Sequence, residues 1–179
     1  MKKLLVVVDY QNDFVTGALG FAGAETLEPD IAAAVTETLQ NDGYVLFTRD
    51  THPKGYLHTR EGGYLPIPHC IEGTPGHQLF GSLHLYEETP TPHTAILNKP
   101  TFGSPDIGQA AIALCQTPPD VVELCGLVTD ICVVANAILL HSFLPNASIK
   151  VRQALCGSGN TQNAGAAFAL LKGMGIVVE

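Results

Sequence analysis

The sequence predicts an α/β protein, a parallel sheet covered by helices on both faces. Three observations carry this. Short apolar runs recur along the chain, and the first, LLVVV at residues 4–8, is continuous rather than alternating. Such a run marks a strand buried on both faces. Stretches of helical length separate most of these runs, and strands that alternate with helices form parallel sheets. The composition, 46% hydrophobic and 15% charged, is that of a globular chain.

The elements follow in order. Residues 4–8 form the first strand and stop at Asp9. Residues 29–41, Ala-rich in the centre, read as a helix. Residues 44–49 and 94–98 are the second and third strands. Residues 106–115 are a helix and 120–125 the fourth strand, whose run ends at Gly126. Residues 130–142 are a helix, with Thr129-Asp130 as a plausible N-cap pair. Residues 147–152 form the fifth strand, 161–172 a helix and 175–178 the last strand. Residues 51–93 are the exception. They are rich in Gly, Pro, His and Tyr, with no sustained period, and five of the seven histidines lie between His52 and His84. A long irregular stretch inside a compact domain is functional or disordered, and the histidines favour function. At 179 residues the whole chain, 1–179, is expected to be one domain carrying this segment.

Composition also excludes partners. The formal net charge is −8, with no block of Lys or Arg, which argues against nucleic acid and anionic membranes. No run reaches the ~18 apolar residues of a membrane span. The run after Lys2-Lys3 is shorter than the roughly 7–15 residues of a signal core, so a cytoplasmic location is expected. Five cysteines at no regular spacing fit reduced thiols better than a disulfide framework.

Ligands of open parallel sheets bind beyond the carboxyl ends of the strands. Strand one ends at Asp9, strand two at Asp50 followed by His52, strand three at Lys99, and strand four leads to Cys132. Each has an ordinary reading on its own, because polar residues stop strands. Cys132 alone reads either as a small buried hydrophobe or as a nucleophile with a lowered pKa. Together they place two carboxylates, an imidazole, an ammonium and a thiol on one rim. A helix N-terminus and Lys99 favour a thiolate. Asp9 can take the thiol proton and return it to a leaving group. Backbone N–H groups around Val128 and Cys132 can bind an oxyanion.

Asp50, His52, His58 and His69 supply one carboxylate and three imidazoles, a set that suits Zn²⁺, Fe²⁺ or Mn²⁺. Their spacing matches no short zinc-finger pattern, so spacing alone leaves a metal site open. Cys70 ranks below His58 as a fourth ligand. His77, His84, His93 and His141 read as solvent-facing or structural.

These stretches resemble a known family, the isochorismatase-like cysteine hydrolases, and within it the nicotinamidases. VVVDYQNDFVTGAL at 6–19, TRDTH at 48–52 with PHCIEGTPG at 68–76, NKPTFGS at 98–104 and GLVTDICV at 126–133 are similar to its motifs, in order along nearly the whole chain. The resemblance implies a three-layer αβα sandwich with a six-stranded parallel, Rossmann-like sheet. It implies an Asp9–Lys99–Cys132 triad and a non-proline cis peptide at Leu127–Val128. It implies metal ligands Asp50, His52 and His69, with His58 as a further candidate, and a divalent metal, Zn foremost and Fe or Mn as alternatives. Phe14 matches an aromatic of the ring pocket. Where the family's nicotinamidases carry a Trp, this chain has Pro66 and no Trp anywhere, which leaves Phe14 and Tyr64 to supply the stacking face.

The activity implied is hydrolysis of nicotinamide, or a similar small carboxamide, to the acid and ammonia through a thioester. One alternative is metal-independent hydrolysis of an N-carbamoyl or ureido compound or of isochorismate. Isochorismate ranks last, because true isochorismatases do not depend on a cysteine nucleophile. The other alternative is a metal-binding or regulatory protein without turnover. A homo-oligomer is the assembly that the resemblance implies.

Overall fold

A computed structural model describes all residues, 1–179. Six parallel strands, β1 (Lys3–Val8), β2 (Tyr44–Asp50), β3 (Thr94–Lys99), β4 (Val121–Leu127), β5 (Ser148–Gly157) and β6 (Val177–Val178), form one sheet in the order β3-β2-β1-β4-β5-β6. Seven helices accompany them: α1 (Asn12–Val15), α2 (Glu28–Gln40), α3 (Arg60–Tyr64), α4 (Leu85–Glu88), α5 (Ile107–Cys115), α6 (Val134–Phe143) and α7 (Thr161–Gly173). No helix is long and apolar enough to cross a membrane.

The continuous apolar run of β1 is explained by its neighbours. Leu4, Val6 and Val8 pack on one face against Ile107 and Ala111 of α5 and Ala137 and Leu140 of α6. Leu5 and Val7 pack on the other face against Ile31, Ala34 and Val35 of α2. All five are fully buried, and each such side chain contributes about 1.5–3 kcal/mol by leaving water. The result is the three-layer αβα sandwich expected from the alternation.

Chain order reverses at β1, which pairs with β2 on one side and β4 on the other. The register there aligns Val8 with Thr48 and with Gly126, and Asp50 with Lys99 across the β2–β3 pair. The strand ends therefore stand level at the switch point, where open sheets form their crevices. Gly126 makes the β1–β4 approach possible: its φ is +111°, and a Cβ there would collide with the Val8 backbone.

The structure differs from expectation at four element ends. β4 does not stop at Gly126 but runs through it to Leu127. β5 runs on to Gly157, across a register shift against β4 between Leu124 and Gly126. β6 is reduced to two residues. Thr129-Asp130 does not cap an α-helix. Residues Thr129–Val133 form a π turn with Val128 at its N-cap position and no side-chain cap, and Val133 N donates to Val128 O at 3.1 Å. This wide turn carries Cys132 before α6 begins, and such turns concentrate at functional sites. The segment 51–93 is built of pieces three to five residues long, α3 and α4 among them, which is why it shows no period. All five cysteines are free thiols.

Candidate active site

Asp9, Lys99 and Cys132 converge although 90 and 33 residues separate them. Lys99 Nζ lies 2.5 Å from Asp9 Oδ2 and 3.5 Å from Asp50 Oδ1, and it donates to Cys132 Sγ at 3.7 Å. Asp9 and Lys99 are fully buried and Cys132 is 2% exposed. Asp9 sits just past β1 at φ 45°, a conformation that Asp tolerates better than most residues. Thr48 Oγ1 donates to Asp9 Oδ1 at 2.6 Å and fixes the carboxylate.

Burial raises the Asp9 pKa above the ordinary carboxylate value, against the pull of Lys99. Burial opposes the charge on Lys99 too, but Asp9, Cys132 and Asp50 more than restore it, so its ammonium is firmly held. The thiol departs from expectation. Instead of a lowered pKa, burial pushes Cys132 well above the free-thiol value, with Lys99 only partly offsetting this. Cys132 is thus a member of the apolar core, as the first of its two readings had it, and its sulfur also contacts the Lys99 ammonium.

The sulfur forms part of the wall of a cavity of about 250 Å³, with Phe14, Phe102, Val128 and Ile131 among its apolar neighbours. The Leu127–Val128 peptide is cis. Phe14 lines this cavity and meets the His69 ring edge-on at 5.5 Å. Tyr64 does not: it is 81% exposed and outside the cavity wall. It closes the short helix α3, whose buried side is Gly62, so its ring is carried outward. The enclosing aromatics are Phe21 and Phe102 instead.

Next to the cavity, Asp50, His52, Glu61 and His69 bring one potential ligand atom each to within 4.8 Å of one another. The His52 and His69 Nε2 atoms lie 2.9 and 3.1 Å from Asp50 Oδ2, and Glu61 Oε1 lies 3.3 Å from His52 Nε2. His69 Nδ1 donates to the Ile67 carbonyl at 2.7 Å, which turns Nε2 toward the cluster. The donor set fits a divalent cation: Asp50 Oδ1 and Glu61 Oε1 are buried without any hydrogen-bond partner, beside two imidazoles. The electrostatic demand shows on His52, where burial opposes charge, yet Asp50 and Glu61 push the pKa up to about 9.

His58 is not part of this cluster. The 3₁₀ turn Tyr56–His58 turns Tyr56 inward, against the rings of His52 and His69, and leaves His58 exposed. Glu61 takes the remaining place. Thr59 caps α3 by accepting from Gly62 N, which swings the first turn of that helix over the imidazoles. Sequence reasoning passed over Glu61, although it is the one acidic residue between His52 and His69. The Cys70 thiol packs in the core beside Tyr10, Phe14 and Leu79, and burial raises its pKa.

Gln11 was also missed. Fully buried, its carboxamide accepts from Asp50 N at 2.7 Å and donates to the carbonyls of Asp50 and His77 at 2.9 and 2.8 Å.

Fold and site together define an α/β protein with a thiol-centred cavity and an adjoining metal-type cluster at a parallel-sheet switch point. The isochorismatase domain model matches residues 3–179, and the chain belongs to the isochorismatase family. A Bacillus subtilis protein described as an uncharacterized isochorismatase family protein PncA is 31% identical over 143 residues, 77% of this chain and 78% of its own. The crystal structure of nicotinamidase PncA from Bacillus subtilis superposes with a TM-score of 0.86 at 29% identity, covering 99% of both chains. That of Pyrococcus horikoshii pyrazinamidase in complex with zinc gives 0.83 at 22% identity, covering 99% of this chain and 98% of the other, a likeness of fold.

Proposed function

We propose that this protein is a cysteine-dependent amidohydrolase of the nicotinamidase type, converting nicotinamide or a similar small carboxamide to the acid and ammonia. The observation that carries this reading is the buried chain of contacts from Asp9 through Lys99 to Cys132, with Cys132 on the wall of a cavity that also borders Asp50 and His69.

Asp9 accepts the Cys132 proton as the sulfur attacks the carboxamide carbon, and Lys99 stabilises the forming thiolate. Backbone N–H groups of Val128 and Cys132 receive the developing oxyanion, a contribution of about 3–4 kcal/mol per donor in measured cases. Asp9 returns its proton to the departing nitrogen, and ammonia leaves. Asp9 then deprotonates a water that cleaves the thioester, restoring the thiol. Phe14 lies against the ring. Asp50, His52, Glu61 and His69 would hold a divalent metal, zinc foremost, which when bound supplies an electrophilic anchor for a heteroaromatic ring nitrogen.

The experiment is ammonia release from nicotinamide by protein of known metal content, with and without chelator, beside a panel of ureido compounds. Release that chelator abolishes supports the proposal. Metal-independent release from a ureido compound, with none from nicotinamide, replaces it.

A further inference from the structure

Four buried side-chain oxygens receive no hydrogen bond, one each on Asp9, Asp50, Glu61 and Asp130. The first faces Lys99, and the next two belong to the metal-type cluster. Asp130 has no such account. A buried acceptor left unsatisfied costs free energy and in a native protein has a reason.

Asp130 lies two residues before Cys132 in the π turn and forms part of the same cavity wall. The ion pairs of the site run from Lys99 to Asp9 and Asp50, and from His52 and His69 to Asp50 and Glu61; none reaches Asp130. Asn160, the cap of α7, lines the cavity too; its Oδ1 accepts from Asn163 N, and it makes no hydrogen bond to Asp130. Asp130 is therefore the uncompensated charge of a wall otherwise rich in Phe14, Phe102, Val128 and Ile131. One of its oxygens is shut off from water, and screening beside apolar surface is weak.

We propose that Asp130 is a specificity-determining residue that sets the charge selectivity of the cavity, admitting neutral carboxamides and turning away carboxylates of the same shape. Its negative charge disfavours an anion, and the carboxylate offers an acceptor to an N–H donor on a neutral ligand. The proposal rests on the proposed function in one respect. That reaction turns a neutral, donor-bearing amide into an anionic acid, so the group that favours substrate entry also disfavours product retention.

The test uses a matched pair of alkylating agents on the native protein, neutral iodoacetamide and anionic iodoacetate. In both, the Cys132 sulfur forms a bond to the methylene carbon, iodide leaves, and the thiol proton passes to Asp9 or solvent. Mass spectrometry of the Cys132 peptide gives the two rates, with the other four thiols as internal controls. The amide-to-acetate rate ratio at Cys132 is expected to fall about tenfold in Asp130→Asn and to return toward the native value in Asp130→Glu. A ratio unchanged in Asp130→Asn overturns the proposal. So does an equal fall in both variants, because charge is then not the cause. Alkylation needs neither nicotinamide nor metal, so ammonia release by the native protein reports separately. A shifted ratio without ammonia release leaves the selectivity standing and removes the proposed substrate. Ammonia release with an unshifted ratio removes the selectivity alone.

Discussion

Asp9 and Lys99 hang from the ends of β1 and β3, and Cys132 from the turn after β4, whereas the cluster beside them takes only Asp50 from a strand. His52, Glu61 and His69 come from the irregular stretch that follows. One half of the site is thus positioned by the register of a sheet buried on both faces. The other is positioned by short turns, a capped five-residue helix and a few side-chain hydrogen bonds. A packed sheet holds geometry through many interdigitated side chains, while a loop holds it through a handful of contacts, each removable by one substitution. The two halves should therefore respond separately to mutation.

The largest expected effect lies in the strand-borne half. Cys132→Ala lowers turnover at least about 10⁴-fold, as removal of a nucleophile does elsewhere, with metal stoichiometry by elemental analysis unchanged. Metal lost with the thiol would merge the two halves into one. Next comes the loop-borne half. Glu61→Gln weakens divalent-metal affinity about 10–100-fold, read by competition with a chromophoric chelator, and His58→Ala leaves it unchanged. The reverse order would return His58 to the cluster. A subtler effect sharpens the role of Asp9. Its pKa is raised above 3.8, so the acid limb of kcat/KM lies above that value. Activity is complete at higher pH and is lost as pH falls through the raised pKa, where protonated Asp9 can no longer accept the thiol proton. A limb at or below the ordinary value would mean that another group is the base. The smallest effect is at the rim: Tyr64→Ala shifts KM less than about twofold, since the ring is exposed, and a larger rise would bring Tyr64 back to the pocket.

The same contrast explains what could be read from residues alone. The continuous run at residues 4–8 and the polar residues closing the first three strands carry the sheet and its rim, because parallel strands with level ends put their terminal side chains together. Thr129-Asp130 looked like a cap, but cap chemistry is the same for an α-helix and a π turn, and only the hydrogen bond from Val133 N to Val128 O separates them. Glu61 and His58 are three residues apart in a segment without period. Which of them faces inward depends on Thr59 capping α3, a local event that no repeating pattern announces. The lowered thiol pKa failed for another reason. It weighed the charges near the sulfur, while burial, which dominates, depends on how α6 and the sheet close around it.

The amide of Gln11 has one more consequence. It stands two residues beyond Asp9 and grips the backbone at Asp50, so the ends of β1 and β2 are clamped together, and the two carboxylates they carry keep one spacing whatever the loop after β2 does.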